Sequence, residues 1–234
     1  DKDWLKNLLK TTQQHPDISV FGCRQMILNQ EDLLDGTGDI YHFSGLIWRE
    51  GYARKLNNND LIDKEIFSPC ACAALYRTDV LKHIGGFDED FFCYVEDVDL
   101  GFRLQLNNYR CRYVANAVVY HAGSASTGGS HSNFSIYHGH RNLVWAFIKN
   151  IPNGPFWLLL PFHLALNLAS IVYFSARGQT KIIFKAKKDA LFGIPIMWRK
   201  RQKIQSARKV SSLAIWKKLD KRLFIYCSKV TGNK

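Results

Sequence analysis

Gly85-Gly86-Phe87-Asp88-Glu89-Asp90-Phe91-Phe92-Cys93-Tyr94-Val95-Glu96-Asp97-Val98-Asp99-Leu100 gathers six carboxylates and threads them with Phe87, Phe91, Phe92 and Tyr94. A merely solvated acidic face would not carry four aromatic rings. The stretch places acids in a partly apolar setting, where a carboxylate becomes a base or a metal ligand. Its punctuation is equally informative. Gly85-Gly86 ends a short helix begun at Thr78 or Asp79, and Glu96-Asp97 opens a second, whose Val98, Phe102 and Leu106 fall on one stripe as far as Leu106.

Outward from this stretch, strands and helices alternate. Asp3 stands as N-cap to an opening helix with apolar Trp4, Leu5, Leu8 and Leu9, stopped by His15-Pro16-Asp17. Ile18–Cys23 and Arg24–Leu28 read as strands, and Asp35–Asp39 as a turn. Residues 45–64 read as a long loop, and Cys70–Tyr76 as a buried strand of small residues. Tyr113-Val114 and Ala117–His121 have strand alternation, and Phe134–Lys149 is helical. The class is α/β.

The formal charge of +12 is unevenly spread. Residues 177–234 hold seventeen Lys and Arg against two Asp, a net of +15, whereas residues 1–176 are net −3. A basic tail fits a polyanion, either an anionic membrane or nucleic acid. Residues 155–176 are the most apolar run and, as a helix, would reach about 33 Å, enough to cross a bilayer. His163, Asn167 and Ser170 share one face, which suits a helix lying in the interface. A single crossing would place the body opposite the basic tail and export it. The six cysteines, lacking Cys-x-x-Cys or zinc-finger spacing, read as reduced structural thiols of a cytosolic compartment, which opposes export. The expectation is peripheral or re-entrant attachment at the cytoplasmic face of the plasma membrane. The alternatives are a single transmembrane helix and a buried core helix. Trp198, Trp216 and Phe224 among Lys and Arg could stack on nucleic acid. Leu213, Trp216, Leu219 and Leu223 at helical spacing favour lipid instead.

Four pieces carry chemistry. Asp97 opens a helix, where it is rigidly placed to deprotonate a hydroxyl, with Glu96 beside it. Asp99 and Arg103 are spaced for an i, i+4 pair. His121 ends an apolar strand, and a neutral imidazole there can ligate a divalent metal. The hydroxyls and N–H groups from Ser124 to Gly129 can hold phosphate.

In that order, Gly85-Gly86-Phe87-Asp88-Glu89, Phe92, Glu96-Asp97-Val98-Asp99-Leu100, Arg103, His121 and Arg141-Asn142 resemble the second half of family-2 glycosyltransferases. The likeness is to the rhamnosyltransferase-like, inverting branch of bacterial surface-polysaccharide synthesis. It covers residues 1 to about 150 and implies part of a GT-A (Rossmann-like) fold, with residues 151–234 a membrane-associating helical extension. It also implies a nucleotide-sugar donor, a glycan or lipid-linked acceptor, and Mg²⁺ or Mn²⁺ on the donor diphosphate. Asp97 becomes the catalytic base, Glu96 its positioning partner and His121 a metal ligand. Arg49, Gly51, Ser124, Ser126 and Thr127 would line the donor, while Asp99, Arg103, Arg141 and Asn142 would lie near acceptor or phosphates. The nucleotide-binding half of such enzymes, with its Asp-x-Asp, would precede Asp1, and Asp1-Lys2-Asp3 is read as a helix cap. Residues 1–234 alone are therefore expected to bind donor poorly and not turn over. The competing reading is a non-catalytic membrane scaffold that keeps the fold. A metal-dependent hydrolase would need more ligands than these.

Overall fold

The computed structural model describes residues 1–123, 128–129 and 131–222, apart from the side chain of Glu31. Helix α1 (Trp4–Gln14) precedes strands β1 (Val20–Ile27), β2 (Gln30–Gly36), β3 (Asp39–Tyr41), β4 (Ile47–Arg49), β5 (Lys64–Ile66) and β6 (Ala74–Tyr76). Helices α2 (Thr78–Ile84) and α3 (Glu96–Leu106) lead into β7 (Cys111–His121). Helices α4 (Asn133–Asn150), α5 (Asn153–Ala176), α6 (Thr180–Phe192), α7 (Ile194–Ser206) and α8 (Ser212–Lys218) complete the described chain.

β1 and β7 run parallel at the centre of the main sheet. β6 and β2 pair antiparallel with the two ends of β1, and β5 with β7. The sequence divides each central strand in two, but each is continuous. The division falls where their register slips, between Cys23–Val114 and Arg24–Val118, so the apolar alternation breaks without a turn. The expected loop at 45–64 contains β4, which pairs with β3, and a 3-10 turn at Asn58–Leu61. Arg54 pins that turn through two bonds to Asp60, at 2.7 and 2.9 Å.

α3 is the hub. Val98, Leu100, Phe102, Leu104 and Leu106 are all buried, between the sheet on one side and α4 on the other. Each such apolar side chain contributes about 2 kcal/mol on burial. Gly101 permits a close approach, because a Cβ there would lie 2.3 Å from Ser68 Oγ. The helix can thus press against the 68–73 segment. That segment is not the expected continuous strand, since Ala71–Ala73 form a 3-10 turn before β6 begins.

α5 buries a mixed face, Phe156, Leu159, His163, Ser170 and Phe174, while Trp157, Leu158, Phe162, Leu164, Leu168 and Val172 are exposed. His163 stacks on Phe147 at 4.0 Å and its Nδ1 donates to Ser44 O at 2.8 Å. Asn167 Oδ1 accepts from Lys187 at 2.6 Å. The polar stripe that the sequence suggested for water therefore faces protein, and the apolar stripe faces out. Exposure on this scale overturns the core-helix alternative. Nor is the basic tail a separate appendage: Lys200 of α7 pairs with Asp88 and Asp90, and buried Arg201 donates to Ile148 O and Asn153 Oδ1.

Candidate functional site

The left-handed Val95 (φ 71°) is the N-cap of α3 and supplies no side-chain cap, so Glu96 and Asp97 are not consumed as caps. Asp97 Oδ2 accepts from Ala71 N–H at 3.2 Å and Oδ1 from Val98 N–H at 2.8 Å. Ser68 Oγ donates to the Asp97 carbonyl at 3.2 Å. The carboxylate is thus held by backbone on two elements and is half-buried. Glu96 beside it has a buried, unbonded Oε2. Burial first, and then the charge of Asp97, push its carboxyl up to about 7. Glu96 can therefore hold a proton near neutral pH beside Asp97.

Facing this pair is a polar cluster that the sequence reading found only in part. Arg49 ion-pairs with Asp35, lies 4.0 Å from Asp39 and donates to Cys70 Sγ at 3.0 Å. Asp39 is buried, with Oδ2 unbonded. Its carboxyl is driven well above the usual range by burial and then by Asp97. Cys72, exposed beside the buried Cys70, has its thiol pKa lowered by a hydrogen bond from Cys70. Asp35, Asp39 and Cys70 were missed because each reads locally as turn or strand. Only pairing of β3 with β4, Asp39 opposite Arg49, brings them together.

His121 joins the cluster through Nδ1, 2.8 Å from Asp35 Oδ2. The carboxylate accepts the Nδ1 proton, which leaves Nε2 with its lone pair, the arrangement of a metal-ligating histidine oriented by an acid. His121 thus fits as one ligand. Among the described residues, however, no group of three or more His, Cys, Asp or Glu is placed to hold an ion. The site as described does not make a complete metal shell.

Other expected site residues are bonded within the protein. Asp99 is fully buried rather than part of a surface pair. Its carboxylate accepts from Arg103 Nε (2.9 Å), Lys149 (2.8 Å) and Asn150 (2.8 Å). Arg103 spends its remaining donors on Ile84 O and Gly86 O, fastening the end of α2 to α3. Asp88 is gripped by Lys149 and Lys200. Burial opposes its charge, but the two ammonium groups prevail and hold its carboxyl down to about 2. The acidic stretch is thereby sorted: Asp88, Asp90 and Asp99 meet cations, and Asp97, with Glu96 beside it, lies near Asp39 and Arg49.

Asn142 is fully buried, and its amide donates toward Phe91 O, Cys93 O and Tyr94 O at 2.7–2.9 Å. Arg141 donates to Asp90 O and Phe91 O and stacks on Trp145 at 4.2 Å. Both hold the loop that presents Glu96 and Asp97. The family resemblance places them near acceptor or phosphates; the structure shows their bonds to this loop. Gly51 lies in a turn at φ 80° against Leu34 and Arg54. Ser124, Ser126 and Thr127 lie outside the described residues.

Known proteins share this arrangement's sequence. Residues 3–176 match the model of a family described as glycosyl transferase family group 2. An N-acetylglucosaminyl-diphospho-decaprenol L-rhamnosyltransferase of Mycobacterium tuberculosis is 35% identical over 92 residues, 39% of this chain and 29% of that protein. The O-antigen biosynthesis protein RfbC of Myxococcus xanthus is 28% identical over 132 residues, 54% of this chain and 10% of that protein. The matched stretch spans less than a third of either relative.

Proposed function

Because the chain belongs to glycosyl transferase family group 2, we propose that it forms the acceptor side of an inverting transferase. In this reading a nucleotide-sugar gives up its sugar to a glycan or lipid-linked acceptor of bacterial surface-polysaccharide synthesis. The observation that carries it is Asp97, bonded at both oxygens by backbone N–H groups beside a protonatable Glu96. Asp97 takes the proton of the acceptor hydroxyl, whose oxygen attacks the anomeric carbon as the nucleoside diphosphate leaves. Arg49, held by Asp35, gives the cluster a fixed positive charge toward the leaving diphosphate. A bound Mg²⁺ or Mn²⁺ would supply further charge stabilisation, with His121 Nε2 as one ligand. Rhamnose is the sugar in the name of the mycobacterial relative, and it is the sugar proposed here. The donor nucleotide is assigned to a nucleotide-binding half distinct from this acceptor side.

The second part of the proposal is attachment to an anionic membrane at its cytoplasmic face, by a helix lying in the interface. α5 turns its apolar side outward. On α6, exposed Lys181, Lys185 and Lys188 share a surface with exposed Phe184, Leu191 and Phe192. Lys188 lies over the Phe192 ring at 5.6 Å, and Arg177 over Tyr173 at 5.4 Å. Basic and apolar groups mixed on one exposed surface match anionic headgroups above acyl chains. This is the side on which a lipid-linked acceptor would be met.

The test is Asp97→Asn in the protein with its nucleotide-binding half. Transfer should fall by at least about a thousandfold, with donor affinity kept within about twofold, the pattern of a lost base. Retained turnover removes Asp97 from the role. Transfer by residues 1–234 alone overturns the assignment of the donor site.

A further inference from the structure

The loop that delivers Glu96 and Asp97 carries its own unexplained feature. Cys93 N–H donates to Phe91 O at 2.7 Å, closing a γ-turn around Phe92. Phe92 has φ 63° and ψ −61°, the rare and strained hand of that turn. Tyr94 and Val95 follow at φ 63° and 71°. Left-handed backbone is costly for bulky and β-branched residues and persists only where surroundings enforce it. The enforcement is visible: buried Asn142 reaches the carbonyls of Phe91, Cys93 and Tyr94, and Arg141 those of Asp90 and Phe91.

The strain does not bury a ring. Phe92 is 73% exposed, while its neighbour Phe91 is fully buried. Phe92 instead joins a surface set of rings: His138 at 5.3 Å and Phe134 at 6.4 Å, with Tyr94 at 6.2 Å from Phe134. His138 Nδ1 is buried and unbonded, and burial first, then Arg141, lower its pKa, so a neutral imidazole belongs to the set. Cys93, between the two strained aromatics, feels the charges of both Glu96 and Asp97. Phe92 and Tyr94 thus share the loop that leads to the candidate base, and Phe134 and His138 meet them from α4. Flat, exposed, low-charge rings a few residues from a base offer the CH-bearing face of a pyranose a stacking surface, while its hydroxyl edge meets the acids.

We propose that Phe92, with Tyr94, Phe134 and His138, forms the stacking platform for the acceptor's saccharide ring, orienting the hydroxyl that Asp97 deprotonates. This rests on the acceptor reading above and adds the residues that select a sugar face. The probe is octyl N-acetyl-β-glucosaminide below its micellar concentration, observed by saturation-transfer NMR on residues 1–234, with octanol as the lipid-tail control. Ring-proton saturation should reach one face of the sugar. Phe92→Ala should weaken binding by about tenfold, the scale of one aromatic contact, and Phe92→Tyr should restore it. Phe92→Gly, which suits the left-handed turn, should fold at least as well and lose binding equally, so misfolding cannot mimic the result. Sugar contact that survives Phe92→Ala and Phe92→Gly overturns the platform and leaves the transferase reading standing. Contact to octanol alone, or none in the wild type, overturns the platform together with the acceptor reading.

Discussion

Asn142→Asp is the sharpest perturbation of this molecule, because it replaces an NH2 donor by a carboxylate oxygen, repelled by the same carbonyls, with almost no change in volume. The wild-type amide offers two N–H donors to three carbonyls at 2.7–2.9 Å, all on the strained loop. Its oxygen accepts from Arg141 Nε at 2.9 Å, and the variant keeps that bond. Asp and Asn have similar helix propensities, so α4 itself is indifferent. Two lost bonds and the orphaned carbonyls should together cost about 3 kcal/mol. For a chain of this size that corresponds to a fall in Tm of about 6–12 °C. Calorimetry at pH 7 measures it, and limited proteolysis should find new cleavage between residues 91 and 95. A fall below about 2 °C, or a loop still protected, would refute the claim that Asn142 enforces the left-handed backbone.

Two titrations and one surface test follow. Glu96 is raised from 4.5 to about 7, so the native state holds its proton longer than the unfolded chain, and stability falls as pH rises through that window. Glu96→Gln should remove this downward slope in pH-dependent denaturation, and an unchanged slope would show that the carboxyl is not perturbed. Asp88 behaves oppositely: its pKa, lowered to about 2, contributes about 2 kcal/mol above pH 4, lost as pH falls through 2. Asp88→Asn should flatten that acid limb. Replacing exposed Leu158 and Leu168 by Asp should leave Tm unchanged but weaken flotation with phosphatidylglycerol vesicles by at least about tenfold, and equal flotation would count against the membrane face.

Much of this was legible because it is local. The α3 stripe of Val98, Phe102 and Leu106, the Gly85 stop of α2 at φ 84° and the family motif around Glu96-Asp97 are all written within a few turns of chain. What was not legible depends on partners far away in sequence. Asp99 reads as half of a surface pair until Lys149 and Asn150, half a helix bundle away, bury it. Asn142 is placed near acceptor or phosphates by the family resemblance alone, and only the folded loop reveals its bonds to three carbonyls. Asp35, Asp39 and Cys70 converge through strand pairing, which periodicity cannot encode.

The polar stripe of α5 shows why the direction of a face is harder to read than its existence. Spacing fixes that His163, Asn167 and Ser170 share a side, but not whether that side meets water or protein. In water the apolar side should turn inward, since each exposed Leu forgoes about 2 kcal/mol. Here the protein supplies the polar side with its partners: Phe147 stacks on His163, Ser44 O accepts from it and Lys187 donates to Asn167. Gly45 makes room, since a Cβ there would sit 2.6 Å from the imidazole. An outward apolar stripe marks a surface that meets lipid or another protein. Contact with lipid through this stripe would be independent of the basic charge, and the two can be separated. Raising salt should weaken flotation driven by lysines, whereas the Leu158 and Leu168 substitutions should weaken it at any ionic strength.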